Sequence, residues 1–170
     1  MTASLWEFSL ELYGRPGVQS ACLSLQEDMG MDVNILLYCC WRGPMETEEL
    51  ESLMTKLGPW QRGVVSGLRT VRQLIKPMIK DLSEHSEVVA QLRKKIAGLE
   101  LEAEKLQQSI MMRFAVSQRT KSPPSPHAAA QNLALYFQSL QKPTDSAALN
   151  ALRIILGGAY PESDDDTIKL

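Results

Sequence analysis

The residues of this chain with the clearest capacity for chemistry are cations. At about 100° per residue, Arg62, Arg69, Lys76 and Lys80 project within about 40° of one another on one helix face, with Arg72 on its flank. Val64, Leu68, Val71, Ile75 and Leu82 fall on the other side. A one-sided row of four or five cations can track phosphates, whether of RNA, a nucleotide or a lipid surface. The same row also suits a solvated or intramolecularly paired face, because the preceding helix is rich in Glu. A single-strand binder would interleave aromatic residues for stacking, and here only Trp60 stands nearby.

Catalytic and metal-binding patterns are missing. The two histidines, His85 and His127, stand alone, and no Cys-x-x-Cys, His-Glu-x-x-His or Glu-x-x-His spacing occurs. There is no glycine-rich phosphate loop. Cys22, Cys39 and Cys40 fall on apolar helix faces, where thiols act as inert filler. Glu100 and Glu104 are one turn apart and read as solvated surface residues. Asn34 interrupts an apolar segment; a buried amide must be hydrogen-bonded, either to a neighbouring helix end or to a ligand. No catalytic residue, cofactor or metal ligand is expected.

These residues are positioned by a spine from Pro59 to Gln118. Apolar residues recur there at alternating spacings of four and three: Val64, Leu68, Val71, Ile75, Met78, Leu82, then Val89, Leu92, Ile96, Leu99, Ala103, Leu106 and Ile110. This is a 3.5-residue helical seam sustained over about six heptads, with His85 its only non-apolar member. A single helix over it would be roughly 90 Å long at 1.5 Å per residue. Pro77 must remove one helical hydrogen bond and kink or break the helix, and Ser83-Glu84-His85-Ser86 is a second weak point. Two arrangements remain: an antiparallel hairpin of helices over about 59–82 and 86–118, or one kinked helix whose register runs through. His85 is accordingly either a turn residue or a polar position on a buried seam.

Around the spine the pattern is also helical. Ser4 and Glu7 form a capping box for a helix to Tyr13, with Gly14 ending it. Val18, Ala21, Cys22, Leu25 and Met29 mark a second amphipathic helix closed by Gly30. Asp32 caps a third, Val33 to Trp41, apolar on all sides and therefore central to the N-terminal cluster. A fourth runs from Thr47 to Leu57, and Gly58-Pro59 separates it from the spine. Beyond a Pro/Ser-rich linker come helices from Ala128 to Gln141, and from a Thr144 or Asp145 cap to Gly157-Gly158.

Composition supports this class. Of 170 residues, 44% are hydrophobic and 22% charged, which suits a folded domain with its own core. No run of alternating β-branched residues suggests a strand. The longest apolar run, Ile35 to Trp41, is far short of the roughly 20 residues of a membrane span. The start, Met1-Thr2-Ala3-Ser4, lacks a secretory pattern, and three cysteines make a poor disulfide framework, so a cytoplasmic location is expected. Net charge is −2 but uneven: residues 1–51 hold nine acids and two bases, whereas residues 52–121 hold thirteen bases and six acids. The acidic part can dock on the basic spine, or the spine can face an external anion.

The run Trp6-Glu7-Phe8-Ser9-Leu10, Tyr13, Pro16-Gly17-Val18, Ala21-Cys22-Leu23, Leu25-Gln26, Asp32-Val33-Asn34, Leu36-Leu37 and Trp41 resembles a family of bacterial (proteobacterial) proteins catalogued only as a domain of unknown function. Trp60-Gln61-Arg62, Leu68-Arg69, Arg72 and Glu100-Leu101-x-Ala103-Glu104 are similar to its later blocks. The resemblance covers about residues 4–110. It implies a bacterial cytoplasmic protein and carries no activity or site residue with it.

The expected fold is all-α: a helical bundle with a short-helix N-terminal cluster packed on a long helix or an antiparallel helical hairpin. Its expected organisation is a bundle over 1–118 with the spine at 59–118, a linker at 119–127, two helices within 128–160 and an acidic disordered tail at 161–170. The expected function is non-enzymatic protein–protein interaction or regulation, with a protein partner or a second copy of the chain on the seam. The alternatives are binding of RNA or another polyanion through Arg62, Arg69, Arg72, Lys76 and Lys80, and a small-molecule enzyme with a pocket near Asn34.

Overall fold

Ser4 opens the first helix as its spacing to Glu7 requires. Its hydroxyl accepts from the Glu7 N–H at 3.2 Å, and the Glu7 carboxylate accepts from the Ser4 N–H at 2.9 Å. In the computed structural model, which describes residues 4–118, 122–143 and 145–163, every regular element among those residues is helical. The helices are α1 (Leu5–Tyr13), α2 (Val18–Met29), α3 (Val33–Trp41), α4 (Thr47–Trp60), α5 (Ser66–Asp81), α6 (Ser86–Ser117), α7 (Pro126–Ser139) and α8 (Ser146–Ala159). The fold is all-α. The chain divides into two compact units, one of Met1–Leu53 with Met111–Leu170, the other of Met54–Ile110.

The first unit is built around α3. Asp32 caps it, accepting from the Asn34 N–H at 2.9 Å, and Asn34 to Cys40 are all buried. A nine-residue helix can be apolar on every side only when every side is covered, and α1, α2 and α7 supply that cover. Its C-terminal carbonyls lack helical partners and are satisfied by Asn132 on α7. The Asn132 Nδ2 donates to the carbonyls of Cys39 and Gly43 at 3.1 Å each, while its Oδ1 accepts from the Met45 N–H at 3.0 Å. Tyr136, one turn later on α7, accepts from the Asp32 N–H at 2.7 Å. Both ends of α3 are thus tied to α7.

Helix α8 packs on α2. The pair Gly157-Gly158 does not stop α8, which continues to Ala159. A Cβ at Gly158 would stand 2.6 Å from Val18 Cγ2, so this glycine serves the close approach of the two helices. Helix α7 starts at Pro126 rather than Ala128, because Ser125 caps it and proline fits the first helical turn. Asp145 caps α8, accepting from the Ala147 N–H at 3.0 Å. The alternative cap Thr144, linker residues 119–121 and the acidic tail from residue 164 lie outside the described residues.

The second unit is a helical hairpin. Gly58-Pro59 does not separate two helices as its composition suggests: α4 runs through Pro59 to Trp60 and into a π-helical turn, Gln61–Val65, that leads directly into α5. A π turn shifts the hydrogen-bond ladder by one residue, which is how a helix absorbs an interruption without ending. Pro77 likewise stays inside α5. The reversal comes at Leu82, where φ is −103° and ψ 56°, followed by a 3-10 turn, Ser83–His85. His85 is therefore an exposed turn residue. The arms run antiparallel, since Trp60 meets Ala103, and Arg69 and Arg72 meet Glu100.

Candidate interaction surface on the helical hairpin

Polar side chains hold the two arms together. Arg69 Nε donates to Glu100 Oε1 at 2.8 Å and its Nη2 donates to Glu104 Oε1 at 2.7 Å. Arg72 grips the same Glu100 from the next turn, Nε to Oε2 and Nη2 to Oε1. Nearer the base, the Trp60 indole donates to the Ala103 carbonyl at 3.1 Å. Burial alone would raise the Glu100 pKa, but the hydrogen bonds and charges of Arg72 and Arg69 outweigh it and hold the carboxyl below its ordinary value. Arg72 is raised in turn, chiefly by its bond to Glu100. Glu100 is only 6% exposed, which overturns its reading as a solvated surface residue.

This network takes two members from the row of cations. Arg69 and Arg72 point into the arm contact and are neutralised there, whereas Arg62, Lys76 and Lys80 are exposed. The heptad seam also divides. Leu68, Ile75, Val89 and Ile96 are half-buried and Ala103 is buried, so this row faces the opposite arm. The other row, Val71, Met78, Leu92, Leu99 and Leu106, is 43–52% exposed throughout.

Each member of the exposed row follows its covered counterpart by three residues, on both arms. Three residues are 300°, or about 60° backward around the helix. Both helices are right-handed and they run antiparallel, so an offset of the same sign carries both rows to the same side of the hairpin. Leu74 (59% exposed) and Val88 extend that side. Lys76 and Lys80 lie about 140–180° around α5 from Val71. The hairpin is amphipathic as a two-helix unit, with one face of large apolar side chains and a reverse on which Leu101 is the exception among polar residues. Isolated exposed leucines are ordinary on protein surfaces; a contiguous, periodic face of them marks a contact site.

The remaining candidates are enclosed. Asn34 is buried in the first turn of α3. Burial pushes the Cys22 thiol up to about 12, and pushes Cys39 and Cys40 up as well, so all three are inert toward nucleophilic chemistry. Among the described residues no cluster of His, Cys, Asp and Glu could hold a metal. A groove of about 220 Å³ in the first unit is lined by Trp41, Arg42, Gly43, Ala115, Val116, Ser122 and Pro124. Its one charged group, Arg42, is paired with Glu49 at 2.8 Å. Two important residues had faint signals in the sequence. Asn132 shows only as a lone amide on an apolar helix face, and Glu100 only as one of a pair with Glu104, one turn apart, that reads as solvated.

What fold and surface define is an all-helical protein with an amphipathic hairpin. The family model for the group described as "Protein of unknown function (DUF2390)" matches residues 4–111, and the chain belongs to that family. Neither the curated proteins nor the solved structures give a significant match. No helix among the described residues is long and apolar enough to cross a membrane.

Proposed function

We propose that the protein is a non-enzymatic interaction module of the bacterial cytoplasm, and that the apolar face of its hairpin is the contact surface. The observation that carries this reading is the bare heptad row on both arms, Val71 and Met78 on one, Leu92, Leu99 and Leu106 on the other. Helical seams of this period bury their residues against another helix. Three buried, reduced cysteines fit a reducing compartment. The reading is tested by affinity purification from the native host, with protein and nucleic acid both identified, comparing the natural chain with Leu92→Glu/Leu99→Glu. Loss of the co-purifying protein in the variant is expected. Substrate-dependent turnover, or a stoichiometric bound cofactor, would overturn the reading.

Polyanion binding has less to draw on, because Arg69 and Arg72 are already paired with Glu100. Three exposed cations give a logarithmic salt slope of only about −2 on single-stranded nucleic acid. A steep salt dependence, lost on Arg62→Glu/Lys76→Glu/Lys80→Glu, would favour that alternative.

A further inference from the structure

We propose that the apolar face of the hairpin pairs with the same face on a second copy of the chain, so that two hairpins close into a four-helix bundle. This rests on the reading of the hairpin as a contact surface and names its partner.

The argument comes from where the seam points. In a self-sufficient two-stranded coiled coil, both apolar heptad rows face the other strand. Here one row does so, beside the Arg69, Arg72 and Glu100 network, while the second is turned outward on the same side of both arms. Each apolar stripe is therefore aimed between the neighbouring arm and the space above the hairpin. Helices of a four-helix bundle carry their stripes in this way, each toward a shared axis. The absent half is a pair of antiparallel helices with bare apolar rows of the same seven-residue spacing. A second copy provides that pair, and a twofold axis through the face brings each row against its counterpart.

Size and charge agree. From Val88 to Leu106 the exposed stripe spans about 27 Å, and two helices side by side are about 20 Å across, a projected face of roughly 500 Å². Stable interfaces at the low end of the range use about 600 Å² per partner, slightly more than this face offers, so it suits a weak, micromolar dimer. The outer flank of the stripe carries Lys95 beside Glu102 on α6 and Asp81 on α5. This mixture does not suit an anionic membrane, which selects helices edged with Lys and Arg.

Sedimentation equilibrium of the full chain over about 1–100 µM, the range that covers micromolar dissociation, should give twice the 19.0 kDa mass of one chain. Leu92→Glu/Leu99→Glu should weaken the dimer about a hundredfold while the chain stays helical. Leu101→Glu, equally exposed but on the reverse of α6, should leave it unchanged. Should the double variant lose helix, Leu74→Lys on the other arm takes its place. A monomer at the highest concentration, or a double variant as dimeric as Leu101→Glu, overturns the proposal. A photocrosslinker at position 99 separates the two readings. Crosslinks to a second copy support this inference. Crosslinks only to a different protein overturn it and leave the interaction module standing, and no protein crosslink removes both.

Discussion

Replacing Glu100 by Gln keeps the shape of the side chain and removes its charge from between Arg69 and Arg72. With the amide oxygen at the Oε1 position, the bonds from Arg69 and from Arg72 Nη2 lose the charge of their acceptor, and the amide nitrogen in place of Oε2 cannot accept from Arg72 Nε, so three bonds are weakened or lost at about 1 kcal/mol each. The full sum does not apply. The Arg69 and Arg72 side chains are 16% and 26% exposed, so water screens part of the interaction, and Arg69 keeps Glu104. A loss of about 2 kcal/mol is expected at pH 7, or a fall in Tm of about 4–8 °C for a chain of this size. The pH dependence supplies a sharper check. Glu100 has a lowered pKa in the folded state, so its contribution is present above the unfolded-state value and is lost as pH falls through the folded one. The gap between natural chain and variant should therefore be full at pH 7 and shrink under acid. Urea denaturation followed by circular dichroism at several pH values measures it. A variant within about 0.5 kcal/mol of the natural chain at pH 7 would refute the reasoning, since changes that small are typical of surface sites. So would a gap that does not narrow toward acid.

Asn132→Leu should be among the most damaging single changes. It leaves the Met45 N–H and the carbonyls at the end of α3 unpaired in a buried site, at a cost of about 3 kcal/mol, read as a lower urea midpoint with unchanged slope. The thiols should behave as buried groups: a disulfide reagent at about pH 8 labels none of Cys22, Cys39 and Cys40 in the folded chain and all three in denaturant. Rapid labelling of Cys39 or Cys40 without denaturant would show that α3 is not enclosed.

Much of the local structure was legible in the residues. The Ser4 and Glu7 box, the Asp32 cap and the all-apolar α3 follow from short-range hydrogen bonding and the need to cover a wholly apolar helix. The heptad period of the spine was equally plain. The Gly58-Pro59 signal misled, because a missing hydrogen bond is a local deficit whose remedy is not local: the π turn after Pro59 carries the helix onward, whereas Pro77 lies within an arm of the hairpin that its register allowed. The cations were visible as a row, but not that Arg69 and Arg72 belong to the inside of a hairpin.

The sequence by itself determined the helical class, the Ser4 and Asp32 caps and a seam of period 3.5, since these depend on neighbours within a turn or two along the chain. Tertiary structure alone decided which half of that seam is covered. Periodicity defines a stripe on a helix, but the direction of that stripe relative to a second helix depends on where the chain reverses. The reversal at Leu82 sets Glu100 against Arg69 and Arg72 and leaves Leu92, Leu99 and Leu106 facing outward. One apolar pattern thereby becomes two surfaces, an inner contact held partly by charge and an outer face of exposed leucines.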